Sequence, residues 1–201
     1  LDEFVADFKR RGLKTAVLHL PGRSGTLGAA AMVSLGEELA QQFSQQDLQP
    51  QAVFAAAGSG LTVAGLALAF KTLGLPVRVV GISVQRAAAF MVPLIVERAN
   101  AAAQSLELVT RIEASDFDFD DRHIGDGYGR ASRESVEALL AAGRTEGLVL
   151  DPVYTGKALA GALAQVREGI WRGARPIVFL HSGGAPGLFA SAQQLAPWLA
   201  A

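Results

Sequence analysis

A short apolar run, Val53 to Ala57, ends in Gly58-Ser59-Gly60-Leu61-Thr62 and passes straight into an Ala/Leu-rich helical stretch. A strand that turns on glycine into a helix points several backbone N–H groups and the positive end of the helix dipole at one spot, which suits a phosphate. A second loop, Asp151-Pro152-Val153-Tyr154-Thr155-Gly156-Lys157, lies far downstream, and a third, Ser182 to Pro186, follows the apolar run Pro176 to His181. In open parallel sheets ligands bind beyond the carboxyl ends of the strands, so the three loops are expected to converge. A tight strand-to-helix connection also occurs without any ligand; the hydroxyls of Ser59 and Thr62 tilt the reading towards phosphate.

The remaining punctuation supports an α/β chain. Phe4 to Arg11 reads as a short amphipathic helix, Thr15 to Leu20 as an apolar strand, Pro21 to Gly25 as a turn, and Leu27 to about Gln45 as a long helix. A helix is expected from the glycine turn to Leu73, a buried strand over Val77 to Val84, and a helix from Ala87 to Gln104. Ser115 to Gly129 is acidic and glycine-punctuated, and reads as a surface loop of the length that often serves function. Ser132 is a candidate N-cap for a helix to Ala142, with Ser135 on the exposed side; Leu148 to Leu150 reads as a short strand, Lys157 to Arg172 as a helix, and Pro176 to His181 as a strand. The alternation predicts an open, mostly parallel sheet with helices on both faces.

Composition narrows the partners. The 201 residues carry a net charge of −1 with Arg and Lys dispersed, which gives no basic face for nucleic acid, so a small molecule is the expected partner. No apolar stretch reaches the ~20 residues that span a bilayer, and no membrane partner is expected. With no cysteine, the chain has no thiolate metal site. His19, His123 and His181 lack metal-site spacing, and Asp116, Asp118, Asp120 and Asp121 miss the glycine and terminal Glu of a calcium loop, so no metal is expected. Ser24, in Gly22-Arg23-Ser24-Gly25, is not a hydrolase nucleophile elbow. Gly58 and Gly60 begin a dinucleotide fingerprint, and Arg86 could meet the 2′-phosphate of NADP, but Val63 stands at its third glycine position and no acidic residue ends the next strand. Tyr128 and Tyr154 are the only tyrosines; packing is the usual role of a lone tyrosine, and their glycine-flanked loops add to the case for proton transfer or substrate contact. Lys157 invites a Schiff-base role, but one turn into a helix it is more simply a donor to a neighbouring loop or carboxylate.

Taken in order, Pro21-Gly22-Arg23-Ser24 with Leu27-Gly28-Ala29, Gly58 to Thr62 with Ala64-Gly65, Tyr128-Gly129, Asp151 to Lys157, and His181-Ser182-Gly183-Gly184-Ala185-Pro186 resemble the D-cysteine desulfhydrase and 1-aminocyclopropane-1-carboxylate (ACC) deaminase family. The resemblance implies pyridoxal 5′-phosphate as cofactor and the tryptophan-synthase β-like fold, with the amino-terminal part missing. Residues 1–45 are then a remnant of the smaller domain and its crossover, and 46–201 the large phosphate-binding domain.

By the same resemblance Gly58, Ser59, Gly60, Leu61 and Thr62 hold the cofactor phosphate, with Leu61 replacing a glycine or serine common there. Tyr128 and Tyr154 flank cofactor and substrate as catalytic candidates, and Thr155 faces the pyridine nitrogen. Threonine there, where ACC deaminases carry Glu, favours elimination from a β-substituted amino acid such as D-cysteine to pyruvate and ammonia. ACC deamination and L-cysteate sulfo-lysis remain alternatives. The family's Schiff-base lysine is expected to be absent, since Lys9, Lys14, Lys71 and Lys157 all stand outside its context. The chain alone is therefore expected to be inactive, and a non-catalytic metabolite-binding paralogue is the alternative of another class. A cytoplasmic homodimer acting on a small amino acid completes the expectation.

Overall fold

A computed structural model describes residues 1–17 and 22–199. The helix α1 (Asp2–Arg10) precedes α2 (Arg23–Gln45), β1 (Ala52–Ala57), α3 (Leu61–Thr72), β2 (Arg78–Ser83) and α4 (Ala88–Ser105). A 3₁₀ turn at Ala114–Asp116 leads into β3 (Phe117–Asp120), followed by α5 (Arg133–Glu146), α6 (Thr155–Arg167), β4 (Ile177–Phe179), α7 (Ala185–Ala190) and α8 (Ala192–Leu199). The sheet runs β3-β2-β1-β4 with every pairing parallel.

Because both faces of the sheet are covered, β1 and β2 are apolar throughout instead of alternating. Val53, Val79 and Phe117 turn to one face, where α2, α3 and α4 bury Ala29, Val33, Leu66 and Ile95. Ala52, Phe54, Val80 and Ile82 turn to the other, against Ala158 and Ala162 of α6, and Trp171 closes it with its ring edge-to-face on Phe54 at 5.7 Å. Helix α3 is buried from Val63 through Phe70, as its nearly uncharged sequence requires. Its crossing with α2 is set by glycine: a Cβ on Gly65 would lie 2.4 Å from the Ala29 carbonyl oxygen, and one on Gly36 would lie 2.3 Å from the Ala69 Cβ.

Several expectations are corrected. The acidic stretch expected as loop contains β3: Phe117 and Phe119 pack into the α3/α4 side, while Asp118 and Asp120 engage cations. The Arg78 guanidinium grips the Asp118 carboxylate through two N–H groups at 2.8 and 2.7 Å. Leu148 to Leu150 forms no strand; Leu150 alone turns inward, and His181 Nε2 donates to the Val149 carbonyl at 2.9 Å. Ser135 is buried, because its hydroxyl completes the capping box with Ser132. Helix α2 begins at Arg23, inside the expected turn, and α6 runs from Thr155 to Arg167, earlier at both ends than expected. Residues 15–17 are irregular; the rest of the strand expected to Leu20, with His19 and Pro21, lies outside the described residues.

Asp120, at the carboxyl end of β3, accepts from the Arg122 guanidinium and from Gln165 Nε2 of α6 at 2.9 Å. Burial alone would raise its pKa, but these donors outweigh burial and hold it at about 2. Its folded value lies below the ordinary ~3.9 of the unfolded chain, so its stabilisation is complete above that value and is lost as pH falls towards 2.

Two outcomes follow for stability. Gly65→Ala should destabilise the chain by about 1–3 kcal/mol in urea unfolding, because backbone cannot yield at that crossing; an unchanged midpoint would show that α2 slides freely. Asp120→Asn should cost about 1–2 kcal/mol at neutral pH and flatten the loss of stability between pH 4 and 2, read by unfolding across that range.

Candidate functional site

The turn after β1 is built to present amides. Gly60 is the N-cap of α3 at φ +80°, a conformation that a side chain resists, and no side chain caps the helix's first turn. A Cβ on Gly60 would also lie 2.6 Å from Ile95 Cγ1, and one on Gly58 would lie 3.0 Å from Tyr154 Cε1. The carbonyls of the turn are held by side chains: Gln85 Nε2, itself at the cavity wall, donates to the Gly58 carbonyl at 2.8 Å, and Arg98 Nη1 donates to that of Ser59. With the carbonyls anchored, the amide face of the turn opens on a cavity of about 590 Å³, lined also by Tyr128, Tyr154, Ser182, Gly183 and Gly184.

The opposite wall depends on Asp151, which is buried. Its Oδ2 accepts from the amides of Val153 and Tyr154 at 2.9 and 2.8 Å, and its Oδ1 from the Thr155 amide at 2.9 Å and the Thr155 hydroxyl at 2.8 Å. The Thr155 hydroxyl in turn accepts from the Asp151 amide at 3.0 Å. Tyr154 thereby stands at the cavity with its hydroxyl bonded to that of Tyr128, the two rings edge-to-face at 5.9 Å. Burial, the Tyr128 hydroxyl and the Asp151 charge push the Tyr154 phenol up to about 12.

Beyond the cavity, Lys157 is fully buried, and Nζ donates to the carbonyls of Ile124 and Gly127 at 2.7 and 2.9 Å. Burial pulls its pKa down, against the charges of Asp126 and Asp151.

The comparisons with known proteins agree on what this arrangement is. The family model described as pyridoxal-phosphate dependent enzyme matches residues 3–183. The chain belongs to that family. It is 36% identical over 190 residues to a D-cysteine desulfhydrase from Klebsiella pneumoniae (strain 342), covering 94% of this chain and 56% of that protein. It superposes with a TM-score of 0.81 and 32% identity on the crystal structure of an ACC deaminase homologue, covering 98% of this chain and 57% of that one. The chain thus spans little more than half the length of these relatives. The D-cysteine desulfhydrase and ACC deaminase resemblance, the fold and the pyridoxal phosphate cofactor all follow from these matches.

The residues present fit the family's cofactor. Its phosphate needs converging N–H donors and room for backbone approach, and the uncapped turn at Gly58, Gly60 and the start of α3 offers both. The cavity also lies within the ~300–1,000 Å³ range of small-molecule sites. Of the residues singled out from sequence, Gly58, Ser59, Gly60, Thr62, Tyr128 and Tyr154 line it together. Leu61 and Thr155 do not line it: the Leu61 side chain turns to Gly28, and Thr155 is fully buried beneath Tyr154 with its hydroxyl on Asp151.

Sequence reasoning missed Gln85 and Arg98. Neither sits in a motif, and only the return of β2 and α4 behind the turn brings them there. It also missed Asp151 as the organiser of the second loop; an Asp ahead of a helical run, in the manner of an N-cap, was the available signal.

Replacing Asp151 by Asn should lower stability by about 2–3 kcal/mol, since an amide cannot accept at both oxygens where amides and a hydroxyl now donate. Urea unfolding with near-UV circular dichroism checks this; a variant equal to the parent would remove Asp151 from its organising role.

Proposed function

We propose that this chain carries the cofactor and substrate site of a D-cysteine desulfhydrase-type lyase, with Gly58, Ser59, Gly60, Leu61 and Thr62 holding the phosphate of pyridoxal phosphate. The observation that carries the reading is the meeting, around one cavity, of an uncapped helix N-terminus and a paired set of tyrosine hydroxyls. When bound, the cofactor supplies the electron sink for a carbanion at the substrate's α-carbon. The overall change is D-cysteine plus water to pyruvate, ammonia and hydrogen sulfide.

The chain's own residues set the terms of that chemistry. The Tyr154 phenol, raised to about 12, keeps its proton at neutral pH and serves as a hydrogen-bond donor to substrate or departing sulfur, never as a base. The Thr155 hydroxyl donates its hydrogen bond to Asp151 and accepts one N–H, so towards a ring nitrogen it has a single lone pair left. That is a weak partner, in keeping with elimination more than with ring opening.

None of the lysines is offered as the Schiff-base amine in this reading. Lys157 is committed to two carbonyls and Lys71 to Asp116 at 2.7 Å, while Lys9 lies on α1 and Lys14 close behind it. The 201 residues alone therefore bind cofactor without turnover. In the same reading residues 1–45 belong to a smaller domain and its crossover, residues 46–201 to the phosphate-binding domain, and the working form is a cytoplasmic homodimer. Among the described residues no helix is long and apolar enough to cross a membrane.

Equilibrium dialysis of the purified chain against pyridoxal phosphate should show saturable binding, weakened at least tenfold in Gly60→Ala, where the φ and the Ile95 contact forbid a side chain. Borohydride reduction followed by mass mapping should trap no lysine. Absent saturable binding, the phosphate assignment falls; a single trapped lysine would show that the amine is present after all.

A further inference from the structure

We propose that Lys157 is the positioning residue of the tyrosine pair: its buried ammonium ties down the glycine-rich segment before Tyr128, so that the Tyr128 hydroxyl meets that of Tyr154 at the cavity. The meaning of the pair for a bound ligand rests on the assignment made above; the tie itself does not.

A fully buried ammonium is costly unless it gains specific partners, and an apolar side chain of similar length would fill the same space without that cost. Among the described residues no carboxylate pairs with Lys157. What its charge secures is a pair of backbone carbonyls, Ile124 at 2.7 Å and Gly127 at 2.9 Å, both from the connection between β3 and α5.

The start of that connection is fixed elsewhere, by Asp121 on the Ala88 amide at 2.7 Å and by Arg122 on Asp120 and Glu168, but over residues 124–130 the one other described main-chain bond runs from the Arg130 amide to the Gly127 carbonyl at 3.4 Å. Gly125, Gly127 and Gly129 all have positive φ, at +64°, +121° and +78°, so the segment gains no order from local preference. Tyr128 is 55% exposed, and its described partner is the Tyr154 side chain. Its position is therefore inherited from its backbone, and the Gly127 carbonyl held by Lys157 immediately precedes it. Tyr154 is set independently, by the Asp151 carboxylate on its amide at 2.8 Å. The start of α6 thus holds both tyrosines, one directly through the cap and the other through the lysine in the next positions of the helix.

The chain's two tyrosines are the two residues concerned, so a phenol titration reads the pair without background. The experiment compares parent and Lys157→Met, both cofactor-free and labelled with 3-fluorotyrosine, by ¹⁹F NMR titration and by amide hydrogen exchange. The label lowers the phenol pKa and keeps the titration within reach of the folded state. The expected result is a raised Tyr154 titration in the parent that moves part of the way down in the variant, because the Tyr128 hydroxyl is lost while burial and the Asp151 charge remain. Exchange over residues 124–130 should rise at least tenfold, with other protected amides unchanged.

A folded Lys157→Met chain that keeps both the raised titration and the slow exchange overturns the proposal. Should that variant not fold, competitive acetylation of the parent decides: Lys157 should react at least a hundredfold more slowly than Lys9 and Lys14, and equal labelling overturns the tie. Dialysis against pyridoxal phosphate on the same parent sample keeps the two readings apart, since absent binding defeats the cofactor assignment while leaving the titration result standing.

Discussion

The buried carboxylate of Asp151 is the interaction on which the rest of the site depends. Four donors meet it, three amides and the Thr155 hydroxyl, and together they start α6 without any other cap. The carboxylate also sets the third loop: a Cβ on Gly184 would lie 2.4 Å from Asp151 Oδ1, so the chain leaving β4 can approach only as glycine. Since α6 packs across β1 and β2 through Ala158 and Ala162, the same residue links the site wall to the sheet. A carboxylate that is fully donated to tolerates burial; with one donor removed it becomes a liability, and the loops it joins lose their common reference.

The facing wall solves the opposite problem. A turn that must present amides has carbonyls to dispose of, and here two side chains take them, Gln85 from the loop after β2 and Arg98 from α4. Neither needs to touch a ligand to matter. By anchoring Gly58 and Ser59 they hold the turn in one conformation at the cavity, a form of preorganisation that removes reorientation cost at binding. The dense helical layer of α2, α3 and α4 supports this, because small residues at Gly36 and Gly65 let the helices close without slack.

How much of this was legible depended on whether the signal was local. The β1–α3 turn was readable because glycine, hydroxyls and flanking apolar runs all lie within one short window, and the parallel sheet followed from repeated alternation. β3 was not, because Phe117-Asp118-Phe119-Asp120 reads as an acidic loop until Arg78 and Arg122 supply the partners that let the acids sit at a strand. Leu148 to Leu150 looked like a strand from its apolarity, yet strandness requires a neighbour, and the backbone there is instead met by the His181 ring. Ser135 was assigned to solvent by helical phase, whereas the capping box draws it inward. Lys157 illustrates the same divide: its motif marked it, but whether it faces a cofactor, a carboxylate or a loop is a tertiary question.

The electrostatic character of the cavity then follows from these anchors. Positive potential comes from the amides of α3, which no side chain neutralises, while the Asp151 carboxylate lies beneath the wall with both oxygens accepting hydrogen bonds. Tyr154 lines the cavity, raised to about 12 because burial, the Tyr128 hydroxyl and the Asp151 charge all oppose the phenolate, so it remains neutral. An anion entering such a site meets donors on both sides and no competing negative charge at contact distance from the described walls.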